Sequence, residues 1–184
     1  MLKNYFETHL PNEKAVLLAS IFESQNFEAK AKFVEQGKYC NKVAFIESGL
    51  ARAYYLTGAG NEFTVCFSFD NMMMLDPVAF YTGEKAKLTI EFLEKSVVHI
   101  TERSKLEDLF NSDPILSSLG RKITERSYVM MLERIMERDT LSAEERYLNL
   151  LKNSELFKKI PLKYLASYIG ITDSSLSRIR KKIT

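Results

Sequence analysis

The chain has 184 residues, of which 46% are hydrophobic and 27% charged, with a net charge of +2. That length gives a sizeable core in one large domain or two small ones, and that composition excludes a disordered or low-complexity protein. No apolar run approaches the ~20 residues of a membrane helix, and Met1-Leu2-Lys3-Asn4-Tyr5 leads into no apolar signal segment; with only Cys40 and Cys66, which read as buried structural thiols, a reducing cytoplasm is the expected location.

Residues 4–25 are expected to form one or two short helices broken at Pro11-Asn12, with Val16, Leu17, Ile21 and Phe22 as the apolar stripe. From about residue 29 to 101 the period shortens. Residues 30–35 alternate, and 42–47 form an apolar run with Val43, Phe45 and Ile46. Ser48-Gly49 is a tight turn before a strand over 50–56, and Thr57-Gly58-Ala59-Gly60-Asn61 is a second turn. Strands over 63–69, 88–92 and 97–101 complete a set of short, regularly spaced elements of the kind that closes into a barrel or roll.

Ser104-Lys105-Leu106-Glu107 has the form of a capping box, opening a short helix to about Phe110. Asn111-Ser112-Asp113-Pro114 starts a longer helix to about Arg138, with Leu116, Leu119, Ile123, Met130 and Met131 at three- and four-residue steps. Some 25 helical residues span roughly 37 Å. That exceeds one side of a small domain, so part of the helix is expected to pack on a partner chain rather than on its own domain. Asp139-Thr140 ends it, and Ser142-Ala143-Glu144-Glu145 caps a further helix carrying Tyr147, Leu148, Leu150 and Leu151. A hinge is therefore expected at 138–142.

The segment 162–181 meets the demands of a helix-turn-helix. Ala166 is small where two helices cross. Gly170 can take the left-handed conformation of the turn. Leu165, Ile169, Ile171, Leu176 and Ile179 fill the wedge, Pro161 can start the first helix, and Thr172 or Asp173 can cap the second. The region is also basic: residues 146–184 hold nine Lys or Arg against Glu155 and Asp173, a surplus of seven, which leaves residues 1–145 at −5. Such a tail favours phosphate contacts; the alternative is a helical hairpin with a solvated basic surface. The candidate DNA-binding residues are Lys163, Thr172, Asp173, Ser174, Ser175, Ser177, Arg178, Lys181 and Lys182. Arg178 suits bidentate contact with guanine, the serines suit several base edges or phosphates, and the lysines suit phosphates.

Across nearly its whole length the chain resembles the Crp/Fnr family of bacterial regulators. The resemblance rests on Phe33-Val34-Glu35-Gln36-Gly37, on Ala44-Phe45-Ile46-Glu47-Ser48-Gly49-Leu50-Ala51-Arg52, and on Thr57-Gly58-Ala59-Gly60-Asn61-Glu62. It continues through Glu145-Arg146-Tyr147-Leu148, Tyr164-Leu165-Ala166-Ser167-Tyr168-Ile169-Gly170-Ile171 and Leu176-Ser177-Arg178-Ile179-Arg180-Lys181-Lys182. It implies an α+β protein with an N-terminal double-stranded β-helix, a jelly-roll-like sensor related to cyclic-nucleotide-binding domains, over 1–112. A dimerisation helix over 113–138 and a winged-helix-like helix-turn-helix domain over 139–184 follow. It implies a homodimer on a palindromic double-stranded DNA operator, with RNA polymerase and an unidentified small molecule as further partners. Arg178 matches the family's base-reading arginine; Asp173 and Ser174 fall on two other reading positions but differ in type.

The resemblance departs at the effector cassette. Nucleotide binders of the family carry a Gly-Glu pair and, about ten residues on, an Arg that holds the cyclic phosphate together with backbone N–H groups. Here the region reads Met74-Leu75-Asp76-Pro77 and then Lys85-Ala86-Lys87-Leu88-Thr89, and Gly83-Glu84 lies in a loop between strands. Met74, Leu75, Asp76, Lys87 and Thr89 are the candidate effector residues, and cyclic AMP is not the expected ligand. Two cysteines are too few for the family's iron–sulfur sensors, His9 and His99 are too isolated for a metal site, and Met72-Met73-Met74 reads as core packing more readily than as a haem or soft-ligand pocket. No cofactor is expected. No metal-spaced His cluster, Ser-His-Asp set or phosphate loop points to an enzyme. The competing function is a small-molecule-binding roll whose basic C-terminal domain contacts a protein.

Overall fold

A computed structural model describes residues 2–153 and 155–183, with side chains except those of Asn153, Glu155 and Leu156. Two short helices, α1 (Leu2–Glu7) and α2 (Asn12–Ser20), flank the break at Pro11. Their buried face is Leu2, Phe6, Ala15 and Leu18, while Val16 and Leu17 stay exposed. The expected stripe holds at Phe22, which is buried, and at Ile21, which packs on the same cluster, but not at Val16 and Leu17: Ala15 and Leu18, three residues apart, face the core, and the bulkier Val16-Leu17 pair falls between them on the outside.

The strands follow as β1 (Glu23–Phe27), β2 (Lys32–Val34), β3 (Lys42–Ser48), β4 (Ala51–Leu56), β5 (Glu62–Ser68) and β6 (Met73–Met74). After a short helix α3 (Pro77–Thr82) come β7 (Thr89–Phe92) and β8 (Ser96–Glu102). They form two four-stranded sheets, ordered β1-β8-β3-β6 and β2-β7-β4-β5, with every pairing antiparallel. This is a jelly-roll-like double sheet.

Strand β3 explains the roll's core. Ala44 and Ile46 point between the sheets towards Ala53, Ile90, Phe92 and Val98. Val43 and Phe45 point the other way, into a cluster with Phe6, Phe22, Leu106, Leu116 and Leu119. Alternating side chains reach opposite faces, so a strand covered on both sides reads as a continuous apolar run. Between β3 and β4 the chain turns at Gly49, whose φ is +126° and whose N–H donates to Asp70 Oδ1 at 2.8 Å. A Cβ there would lie 2.9 Å from the Cα of Ser96.

Cys66 was expected to be buried. The register of β4 and β5 shifts between Ala53 and Tyr54, and Cys66 is exposed while Thr64 and Phe67 point inward. Cys40 is half-buried, and both thiols are unpaired.

Strand β8 runs directly into α4 (Arg103–Ser112). The capping box expected at Ser104 does not form. The Arg103 N–H donates to Asn41 O at 2.8 Å, so strand pairing sets the helix start, and Glu107 instead accepts from Arg103 Nε at 2.6 Å. The long helix α5 (Pro114–Thr140) begins as expected: Asp113 Oδ1 accepts from the N–H groups of Ile115 and Leu116 at 2.9 and 3.3 Å. Helix α6 (Ala143–Asn153) also opens as expected. Ser142 N–H donates to Glu145 Oε2 at 2.7 Å, and Glu145 N–H donates to Ser142 Oγ at 3.2 Å, which satisfies both free amides. A 3₁₀ turn (Glu155–Lys159), α7 (Leu162–Ile169) and α8 (Asp173–Ile183) follow. Among the described residues this C-terminal part contains helices only, and no helix is long and apolar enough to cross a membrane.

A third apolar cluster gathers Tyr147, Ile160, Leu165, Ala166, Ile169 and Leu176 with Leu50 and Phe67 of the roll. The C-terminal helices therefore share a core with the β4–β5 sheet.

Candidate nucleic-acid interface

Helices α7 and α8 are joined by the turn that the sequence demands. Gly170 sits at φ 82°, ψ 33°, and its N–H and that of Ile171 donate to the Ala166 carbonyl at 2.9 and 3.0 Å. This closes α7 in the left-handed manner that glycine tolerates. Ala166, Leu165 and Leu176 are fully buried and Ile169 nearly so. Thr172 caps α8: its carbonyl accepts from Leu176 N–H at 3.0 Å, and its Oγ1 accepts from Ser175 N–H at 3.3 Å. Thr172 Oγ1 also lies 3.0 and 2.9 Å from the hydroxyls of Ser174 and Ser175.

The outer face of α8 is open. Asp173, Ser174, Arg178, Lys181 and Lys182 are exposed, and Ser175 and Ser177 are half-buried. Ser174, Arg178 and Lys181 stand at i, i+4 and i+7, one above another on a single face. Asp173 in the first turn and Arg180, Lys181 and Lys182 in the last complement the helix dipole.

The basic surplus is unevenly available. Arg146 turns inward, donating to Arg138 O and Ile169 O at 3.1 Å each, so it ties the end of α5 to the end of α7. Arg180 Nε donates to the Tyr147 hydroxyl at 3.0 Å, and Lys182 pairs with Glu144 at 2.8 Å. Among the described residues of the basic segment, Lys152, Lys159, Lys163, Arg178 and Lys181 are exposed and make no ion pair, and of these Lys163, Arg178 and Lys181 lie on α7 and α8. They are the cations best placed for a polyanion.

The cassette residues occupy a different part of the molecule. Asp76, 1% exposed, caps α3 with Oδ1 accepting from Ala79 N–H at 2.7 Å. Its Oδ2 accepts from Lys87 and Leu88 N–H at 2.9 and 2.8 Å. Three amides of the kind that cradles an anion thus already hold a carboxylate. Thr89 is buried and its hydroxyl accepts from Gln36 N–H at 3.1 Å; Lys87 is exposed. Met74 lies in the core between the sheets, Leu75 packs against the α1–α2 cluster, and Met72 Sδ accepts from Phe69 N–H at 3.4 Å, so the methionine run is packing. His99 pairs with Glu47, and His9 with Thr8. Among the described residues no group of three or more His, Cys, Asp or Glu is placed to hold a metal.

Helix α5 presents two unlike faces. Its N-terminal half buries Leu116 and Leu119 and packs Ile123 on the roll. Further along, Tyr128, Val129, Met131, Leu132, Ile135 and Met136 are exposed, Tyr128 at 63% and Met131 at 58%. At 3.6 residues per turn these six share one side. Arg134 points the other way, donating to Thr64 O and Tyr168 O at 3.4 and 3.0 Å. The apolar stripe therefore faces away from the helix's own roll. Sequence reasoning missed the roles of Arg134 and Arg146, because an arginine bonded to backbone carbonyls has no sequence pattern; Arg146 stands out in the sequence only within a basic tail and the Glu145-Arg146-Tyr147-Leu148 motif.

No family model and no curated protein sequence matches the chain. Solved structures do. FixK2 from Bradyrhizobium japonicum superposes with a TM-score of 0.78 at 15% identity, covering 89% of this chain and 84% of that one. The c-di-GMP-responsive global regulator CLP of Xanthomonas campestris gives 0.74 at 12% identity, covering 94% and 91%. A transcriptional regulator assigned to the Crp/Fnr family from Eubacterium rectale gives 0.73 at 16% identity, covering 97% and 87%. The likeness establishes a shared fold over nearly the whole chain.

Proposed function

We propose that this chain is a homodimeric, sequence-specific DNA-binding transcription regulator of the Crp/Fnr type. In this reading 1–112 is a sensor roll, 113–138 the dimerisation helix and 139–184 the reader. One observation carries it: the turn at Gly170 presents Ser174, Arg178 and Lys181 on one open helix face, the geometry that places a recognition helix in a major groove. The shared fold supports it, as does the outward apolar stripe of α5, which a second copy would cover across a two-fold axis. A two-fold dimer reads a palindrome, and such a protein works in the cytoplasm. Arg178 contacts a guanine, Ser174, Ser175 and Ser177 contact bases or phosphates, and Lys163, Lys181 and Lys182 contact phosphates. Asp173 sits at a reading position, where a carboxylate accepts from cytosine N4, and Thr172 acts through its cap on α8. Any effector lies near Met74, Leu75, Asp76, Lys87 and Thr89, and it is not cyclic AMP, whose phosphate would have to displace Asp76.

Selection from a random pool of duplex DNA tests the reading. Enrichment of a palindrome is expected, with binding that weakens steeply as salt rises. Arg178→Ala should cost about 1–3 kcal/mol on the selected duplex and relax preference at one position. No enrichment and a flat salt dependence would overturn the proposal.

A further inference from the structure

We infer that Arg52, Tyr164 and Ser167 form a clasp that fixes the orientation of the reader on the roll, and that they are positioning residues for simultaneous binding of two half-sites. The inference rests on the regulator reading above. Arg52 lies on β4 and is 1% exposed. Its guanidinium is stacked between two tyrosine rings, 4.0 Å from the centroid of Tyr54 on the same strand and 3.7 Å from that of Tyr164 on α7. Its Nη2 donates to Glu62 Oε2 at 2.8 Å and to Glu91 Oε1 at 2.7 Å. One turn along α7, the Ser167 hydroxyl donates to Glu62 O at 3.0 Å and accepts from Thr64 N–H at 2.9 Å, so a side chain of the reader fills a place in the hydrogen-bond row of β5. Arg134 from α5 completes the junction, with its guanidinium 3.7 Å from the Tyr168 ring.

Tyr164, Ser167 and Tyr168 stand at i, i+3 and i+4, so one face of α7 meets the roll and α5 while Leu165, Ala166 and Ile169 pack within the cluster around Leu176. The outer face of α8 is left open. The clasp is therefore compatible with DNA binding, and what it controls is where that open face points.

Adhesion alone does not explain the chemistry. A buried cation with Nε and Nη1 unpartnered holds surfaces together no better than apolar packing would. A planar guanidinium stacked on a ring, with its Nη2 held between two carboxylates, does define an angle. Orientation matters to a dimer whose recognition helices must enter grooves about 34 Å apart. A reader free to swing retains its affinity for one half-site but loses effective concentration at the second.

The test compares wild type, Ser167→Ala, Tyr164→Leu and Tyr164→Phe. The variants on α7 leave the Arg52–Glu62–Glu91 cluster intact. Each protein is titrated against the duplex selected by wild type, against a single half-site, and against palindromes with one or two base pairs added or removed at the centre. Tyr164→Phe keeps the stacked ring and should behave as wild type. Ser167→Ala and Tyr164→Leu should lose about tenfold in the ratio of palindrome to half-site affinity, tolerate altered spacing, and bind the half-site within about twofold of wild type. An unchanged ratio with unchanged spacing preference overturns the clasp, and so does an equal loss on palindrome and half-site. Selection of no duplex by wild type would instead overturn the regulator reading itself, and the clasp with it.

Discussion

Lys14 of α2 and Asp113, the residue that caps α5, meet at 2.6 Å between Nζ and Oδ2. The same carboxylate receives the first amides of α5 through its other oxygen. The hydrogen bond from Lys14, helped by the Leu116 and Ile115 amides, holds the Asp113 carboxyl below its ordinary 3.8. The hydrogen bond to Asp113 in turn raises the Lys14 ammonium above its ordinary 10.5.

These shifts fix a pH window. The Asp113 contribution is present above the unfolded carboxyl range and is lost as pH falls through its depressed folded value; that of Lys14 is present below its unfolded value and is lost as pH rises through its raised one. Urea denaturation from neutral pH down to pH 3 should show wild type losing more stability than Asp113→Ala. Parallel acid limbs would show that the pair is thermodynamically silent.

Asp76 satisfies three amides at once, so removing it should be costly. Asp76→Ala deletes a helix cap and leaves the Lys87 and Leu88 N–H groups without their acceptor, for a loss of about 2–4 kcal/mol. Wild type mixed with millimolar cyclic AMP should show no shift in melting temperature, since only a ligand bound to the folded state raises it. A shift of several degrees would mean that the phosphate displaces Asp76.

Two glycines with positive φ should respond differently to the same substitution. Gly49→Ala meets the Ser96 backbone as well as a forbidden φ and should cost about 2–4 kcal/mol. Gly37, at φ +85° with open space around it, should cost about 1 kcal/mol as alanine. Equal losses in chemical denaturation would remove Ser96 from the explanation.

The outward stripe of α5 predicts an assembly defect. Leu132→Glu combined with Ile135→Glu places two charges on its centre, and sedimentation at micromolar concentration should find a monomer where wild type is a dimer. The thermal transition of the roll should persist, because the buried contacts of α5 lie at Leu116 and Leu119. A double variant that still dimerises would mean that the copies meet elsewhere.

What could be read from the sequence follows from where each signal resides. The helix-turn-helix was legible because Gly170, Ala166 and the Leu165–Leu176 wedge are local demands met within twenty residues. The capping boxes show the limit. Ser142 and Glu145 form one because the chain ahead of α6 is free to do so, whereas Ser104 does not because β8 delivers α4 already paired through Asn41. Strand β1 was missed since Glu23-Ser24-Gln25-Asn26 is polar and exposed, an edge paired with β8 through its backbone and anchored in the core only by Phe27. Strand β6 has only two residues, and α3 owes its cap to an aspartate whose other oxygen serves residues 87 and 88. The candidate interface was visible as charge and spacing. Its attachment to the roll was not, because Arg52 with Tyr164 and Ser167 with Glu62 are partnerships across more than a hundred positions.

The bond between Ser167 and β5 also bears on how the protein is made. A ribosome releases the roll first, and domains generally fold as they emerge. Until α7 follows, Thr64 offers an amide to water at the rim of a finished sheet, the kind of open border on which nascent chains stick to one another. Helices α7 and α8, synthesised after the roll, therefore act as the lid on that border, and a message cut short before them yields a product prone to clump rather than a free-standing roll.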